Sequence, residues 1–348
     1  MRDAQWHRWV LGIAVLTAFG CGGPPDAPAC DPGAEGPLPT ASGDGTVLRL
    51  DPRFAGLVSP GALIERVAGG FEFLEGPVWI REEERLVFSD LGGNAIYSWT
   101  EDAGAEVFIA PYFDGDTGGP GPRRASNGIT RDSEGRLVIG DHGRRQVTRI
   151  EDDGTLTALA DRYEGARLNS PNDLVYRSDG WLYFTDPPYG LDGQDDSPEK
   201  ELDFNGIYRL SPTGELELLS AGQTRPNGIA FSPDESTLYV ANCDADAPLW
   251  IAYDVGADGL SAARVFADLT GQEGSGCPDG LKVDLGGNVF ATGPGGVWVF
   301  APDGTPLGRI SPDEVPANVG WGEDGRTLYM TARTGLYRIR VITEGRIL

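Results

Sequence analysis

A chain of 348 residues with 53 acidic and 28 basic side chains, a formal charge of −25, argues against nucleic acid or an anionic membrane face as a partner. The 51 glycines, beside an ordinary share of charged residues, describe many turns and not disorder. The length is compatible with a single large all-β domain.

In chain order, Arg2, His7 and Arg8 precede an apolar run, Trp9 to Phe19, that is too short to span a membrane and is flanked like a signal peptide. It ends at Ala18-Phe19-Gly20-Cys21, which has the form of a bacterial lipoprotein processing box with Cys21 as the lipidation site. Residues 1–20 are therefore expected to be a leader. The mature protein is expected to be exported, either lipid-anchored at the bacterial cell envelope or secreted, and to touch membrane only through an N-terminal lipid. Segment 21–55, rich in Pro, Gly, Ala and Asp and without apolar period, reads as a flexible tether. Residues 56–348 are left for the folded domain.

Within that domain one pattern recurs: a polar residue, often a glycine, an apolar run, an Asp/Gly turn and a second apolar run. It begins at Glu75, Asn127, Asn172, Asn227, Asp279 and Asn318, at intervals of 39 to 55 residues. The third copy, NDLVYRSDGWLYFTDPP, shows the logic, with β-branched and aromatic runs on either side of Ser178-Asp179-Gly180, a hairpin signal. A third strand-like run follows several hairpins, at Ala95 to Trp99, Val147 to Ile150, Gly206 to Leu210 and Gly335 to Val341. Each interval suits one four-stranded blade, and a blade cannot bury both faces alone. Six arranged around an axis can, so the expected fold is an all-β six-bladed β-propeller.

In such a ring the residues that open each repeat converge at one mouth of the central channel. Carboxylate and amide oxygens from Glu75, Asn127, Asn172, Asn227, Asp279 and Asn318, with no His or Cys among them, describe a site for a hard cation, best Ca2+. The bland alternative, Asn and Asp capping turns before strands, explains one repeat better than six in register. His142, in GDHGRR, and Asp186 and Tyr189, after the third hairpin, are rim candidates, as loop structure is their alternative. Trp298 and Trp321 are either channel wall or core. Cys243 and Cys277 sit in adjacent repeats and are either a disulfide, which export permits, or two buried thiols.

The segments EGPVW, SNGI, RLNSPNDLVYRSDGWLYFTDPPYG, RPNGIAFSPD and CPDGLKVDLGGNVFATGPGG resemble the senescence-marker-protein/gluconolactonase family of calcium-dependent propeller lactonases, from about Ala62 to Arg340. The resemblance implies Ca2+, with Mg2+, Mn2+ or Zn2+ as alternatives, held by Glu75, Asn172, Asn227 and Asp279, and a catalytic carboxylate at Asp279. Asn127, His142, Asn172 and Arg167 are the expected substrate contacts. Sugar-lactonase relatives carry an Arg two residues before the Asn matching Asn172; here that position is Ser170, and Arg167 or Arg123 is the candidate replacement. The implied activity is opening of a sugar lactone such as gluconolactone, with the metal polarising the carbonyl and Asp279 acting as base or nucleophile. An organophosphate or other ester hydrolase on the same site is one alternative. A non-catalytic extracellular binding propeller is another. No obligate protein partner is evident.

Overall fold

The computed structural model describes residues 39–115 and 124–347. Leader residues 1–20, Cys21 and Arg123 lie outside them. The described residues are nearly all β-strand, with three single-turn 3-10 helices and no α-helix. Six antiparallel sheets follow one another along the chain as blades around an axis. Their innermost strands are Leu74–Ile80, Ser126–Arg131, Leu174–Tyr176, Pro226–Phe231, Leu281–Val283 and Pro316–Gly322. Each opens one of the six sequence repeats.

The strands form because their apolar residues have somewhere to go on both sides. The second strands, such as LVIGD of Leu137–Asp141 and VFATG of Val289–Gly293, are buried along their whole length, each blade being covered on both faces. Six apolar seams result. Val78 and Val87 of blade one meet Ile129 and Ile139 of blade two, and Val138 meets Leu174 and Phe184 of blade three. Tyr183 meets Ile229 and Val240, Ala241 and Trp250 meet Leu281 and Val289, and Phe290 meets Val319 and Met330. The last seam, Tyr329 and Leu336 against Trp79 and Phe88, joins blade six to blade one and closes the ring. Trp298 belongs to the seam between blades four and five, its indole N–H donating to the Pro294 carbonyl at 2.9 Å. Trp321 likewise packs in a seam and donates to the Val283 carbonyl.

Closure uses both ends of the domain. The outermost strand of blade six is Ile64–Gly69, paired antiparallel with Gly335–Arg340 from the C-terminal hairpin. The expected boundary at residue 55 is corrected by the same economy. Gly45–Arg49 adds to the outer edge of blade five against Pro306–Pro312, Thr40–Ala41 adds outside it, and the turn Pro52–Gly56 drives Phe54 into the core. The folded domain therefore includes Thr40 to Gly56. The reason is physical: Val47 and Phe54 cover apolar surface that the seam between blades five and six would leave wet.

Candidate active site

The residues opening the repeats meet at the axis because the inner strands break register there. The ladder shifts between Glu75 and Val78, Ser126 and Ile129, and Pro226 and Ile229, so a bulge turns the polar side chain out of the pleat toward the channel. Glu75, Asn127, Asn227 and Asn318 thus lie inside the inner strands and not ahead of them; Asn172 and Asp279 do precede theirs. The glycine that follows permits close approach of the next blade. A Cβ on Gly128 would stand 2.4 Å from the Asn172 carbonyl oxygen, and one on Gly228 would stand 2.2 Å from that of Asp279. Hydroxyls on second strands fasten the same level, Ser89 donating to the Asn127 carbonyl and Thr185 to the Asn227 carbonyl, each at 2.7 Å.

The result is a cavity of about 400 Å³ lined by Glu75, Asn127, His142, Asn172, Asn227 and Asp279, with Phe73, Leu91, Tyr189 and Cys243 as walls and Glu72 and Gly92 at the rim. His142 Nε2 lies 3.2 Å from Asn172 Oδ1. Because an amide oxygen can only accept, that nitrogen carries the proton. The Asn172 amide in turn donates to Asn227 Oδ1. Glu75 Oε2 accepts from the Gly76 N–H at 3.0 Å and from Asn318 Nδ2 at 3.1 Å, so Asn318 orients a carboxylate and does not line the cavity.

Charge is crowded here. Burial, and then the neighbouring carboxylate of Asp173, push the Glu75 carboxyl up to about 7 against the pull of the Asn318 hydrogen bond. Burial first, then Glu75 and Asp173, push Asp279 well above the carboxylate range. Asp173 itself is buried, held by the Leu174 N–H at 2.9 Å and the Ile229 N–H at 3.3 Å. The Glu75 and Asp279 carboxylates with the asparagine oxygens of the cavity, and no cysteine thiol, are the donor types a hard divalent cation takes, and such a cation would relieve their repulsion. Among the described residues no three His, Cys, Asp or Glu side chains cluster as a metal site by themselves, so a cation here draws on asparagine as well.

Other expected residues fall elsewhere. Arg167 lies on a short hairpin, Arg162–Tyr163 with Ala166–Arg167, that turns it off the axis; its guanidinium donates to the Arg144 carbonyl and it does not line the cavity. Asp186 is fully buried beneath the rim and clamps the N–H groups of Asn169 at 2.8 Å and Ser170 at 2.7 Å. Cys243 and Cys277 are bonded, tying the loop that carries Asp279 to the end of blade four. Phe73, Leu91 and Asp173 had no signal of their own in the sequence. The first two arrive on loops between strands, and Asp173 was hidden behind Asn172.

Fold and site together define a class, a six-bladed propeller with one acid- and amide-lined axial cavity. The chain belongs to the SMP-30/gluconolactonase/LRE-like family, whose model matches residues 73–334. It is similar to the gluconolactonase of Zymomonas mobilis, 39% identical over 312 residues, which span 86% of this chain and 87% of that protein. Among solved structures it is similar to a gluconolactonase from Xanthomonas campestris, with a TM-score of 0.74 at 32% identity over 88% of this chain and 99% of that one. The calcium-binding protein regucalcin of Agrobacterium tumefaciens shares the fold, with a TM-score of 0.63 at 19% identity over 81% and 96% of the two chains.

Proposed function

We propose that this cavity opens sugar lactones with the help of a divalent cation, calcium by preference. The observation that carries the reading is the convergence of Glu75 and Asp279 with asparagine oxygens on one cavity, in a chain similar to gluconolactonases over most of its length. The donor set fits calcium, and a calcium-binding relative shares the fold. Glu75, Asn172, Asn227 and Asp279 would hold the ion. Its chemistry there is Lewis-acid polarisation of the lactone carbonyl.

The protein's own groups do the rest. Asp279, half-buried at the cavity where Glu75 is buried with Oε2 held by Asn318, either takes the proton of the attacking water or bonds the carbonyl carbon; both need it ionised. His142 fixes the Asn172 amide with its oxygen toward the imidazole, and stands at the cavity wall where it can meet a substrate hydroxyl. The walls of Phe73, Leu91 and the Cys243 disulfide exclude water from one side. Export, with lipid at Cys21, remains part of the proposal, and the Cys243–Cys277 bond supports it because disulfides persist in oxidising compartments.

The test is hydrolysis of glucono-δ-lactone followed with a pH indicator, for the wild type and Asp279→Asn, before and after chelation and with Ca2+ restored. Loss of at least about a thousandfold in kcat/KM with an unchanged melting temperature is expected for the variant. Chelation should abolish turnover and lower the melting temperature, reversibly. Retained turnover in Asp279→Asn removes that residue from the chemistry, and indifference to chelation removes the metal.

A further inference from the structure

The inner strands line a second cavity, of about 570 Å³, at the opposite end of the axis from Asp279. Trp79, Val175, Phe231 and Trp321 wall it, and Thr130 and Lys282 face it. The chemistry proposed above uses none of these six.

Thr130 is buried, and its hydroxyl has no hydrogen-bonding partner among the described residues. A buried polar group left unpaired costs free energy, and native proteins keep few of them. Lys282, one of two lysines in the chain, is half-buried and donates to the Leu281 carbonyl at 3.0 Å. Among the described residues that is its only hydrogen bond, and it joins no ion pair. An ammonium carries three N–H donors, so two remain. The acids at the same mouth are already engaged. Asp284 accepts from the Asn288 N–H at 2.7 Å and the Thr343 hydroxyl at 2.6 Å, and Asp234 accepts from the Ser232 hydroxyl at 2.6 Å. Glu235 accepts from the Ser178 N–H at 3.1 Å and pairs with Arg346 at 3.2 Å.

Burial raises the Glu75 carboxyl and the Lys282 charge pulls it the other way, which sets the ammonium beneath the acids of the catalytic cavity. Balancing those acids is sufficient reason for a lysine on the axis. It is no reason for an unpaired hydroxyl, or for two indoles, in the same cavity. Both rings are fixed, Trp79 by stacking on Tyr329 with centroids 5.8 Å apart and Trp321 by its N–H on the Val283 carbonyl at 3.2 Å. The wall is therefore formed in advance of any ligand.

We propose that this cavity binds a small organic monocarboxylate with an apolar, aromatic body, the carboxylate accepting from Lys282 and Thr130 and the body lying among Trp79, Val175, Phe231 and Trp321. One ammonium and one hydroxyl match one carboxylate. Asp234, Glu235 and Asp284 around it repel a second negative charge, which disfavours phosphate esters and dicarboxylates. Apolar walls with a few converging polar groups are the usual make-up of a small-molecule site. An aldonate, the product of sugar-lactone opening, also carries a carboxylate, but its hydroxyls would face apolar walls without partners. The site does not depend on the lactonase reading.

The experiment titrates phenylacetate into the calcium-loaded chain by calorimetry, with phenylacetamide, phenyl phosphate and gluconate as comparisons. The proteins are the wild type, Lys282→Met, Thr130→Val and Asp279→Asn, each checked by its melting temperature. Phenylacetate is expected to bind one to one and at least about tenfold more tightly than any of the other three. Lys282→Met should weaken it at least about tenfold, Thr130→Val about threefold or more, and Asp279→Asn less than about twofold. Thr130→Val removes a hydroxyl that bonds nothing in the fold, so it decides the question should Lys282→Met not fold. No binding up to about 10 mM, or binding that survives both far-mouth variants, overturns the site. Binding lost in Asp279→Asn puts the anion in the catalytic cavity and overturns it as well. Gluconate binding as tightly as phenylacetate overturns the apolar body.

Discussion

Asp186 shows how a single residue can look like part of a site's rim and be structural. It ends the second strand of blade three at the place where Asp90, Asp141 and Asn242 end theirs, and each of these clamps backbone N–H groups of the neighbouring loop. Burial pushes the Asp186 carboxyl up to about 7 despite the two N–H donors and the nearby Arg145 and Lys200. An acid whose folded value lies above its unfolded one binds more protons in the folded state, so its contribution to stability is greatest below pH 4 and is lost as pH rises toward 7. The full swing is on the order of 4 kcal/mol. Asp186→Asn removes this titration but also leaves one of the two N–H groups without an acceptor. The variant should therefore melt well below wild type at pH 4.5 and close part of that gap by pH 8. A gap that stays constant across melts in that range would show that Asp186 is ionised throughout. Glu75, Asn127, Asn227 and Asp279 were legible because each carries a local mark, an acid or amide followed by glycine at the start of an apolar run, and Asn172 because it opens the same repeat without the glycine. Tyr189 and Phe73 were harder, since nothing in Pro-Tyr-Gly or Glu-Phe-Leu says which way a loop between strands will fold over the axis. Arg167 misled for the same reason. It is five residues from Asn172 in sequence, and an extra two-stranded hairpin carries it away from the cavity.

At the scale of the element, the inner strand serves two purposes that compete for the same few residues. It must aim an oxygen at the axis and let the next blade come within van der Waals distance, and the second demand is met by Gly76, Gly128, Gly228 and Gly280. This explains why the polar-glycine pair repeats where a turn would accept many residues. At blade four the constraint is severe: a Cβ on Gly228 would meet the Asp279 carbonyl oxygen at 2.2 Å and its carbon at 2.9 Å, backbone atoms that cannot rotate away. Gly228→Ala should push the loop bearing Asp279 outward, costing about 1–3 kcal/mol of stability by overpacking and a larger share of kcat than of KM. Gly61→Ala is the control, because a Cβ there meets nothing within 4 Å. Thermal melts and lactone kinetics on the two variants check it, and a Gly228→Ala enzyme with wild-type kcat would mean that the blades adjust without moving Asp279. Hairpins were the most readable elements, since their two strands and turn are contiguous. Gly45–Arg49 was not, because a five-residue run among Pro, Gly and Asp gives too short an alternation to stand out, and its partner strand lies more than 250 residues away.

Over the whole molecule, the question is what keeps a ring of six blades shut when every blade touches only its neighbours. The seam between blades five and six answers it, because the N-terminal segment supplies Val47, Phe54, Val58 and Ile64 to a core otherwise built from the C-terminal third of the chain. Four fully buried apolar side chains are worth roughly 1.5–3 kcal/mol each, about 10 kcal/mol together. That matches the entire stability of an ordinary domain, about 5–15 kcal/mol. A chain beginning at residue 70 therefore should not form a stable ring. It also loses Ile64–Gly69 and exposes the unpaired edge of Gly335–Arg340, a template for aggregation. A chain beginning at residue 60 separates the two contributions, since it keeps the closing strand and Ile64 but loses Val47, Phe54 and Val58. The expected series is a monomer with full lactonase activity from residue 37, a folded but less heat-stable monomer from residue 60, and insoluble or aggregated protein from residue 70, read by size-exclusion chromatography and thermal melting. A monomeric, active chain from residue 70 would show that the six seams hold without the N-terminal strand, and closure would then have to be credited to the inner-strand contacts alone.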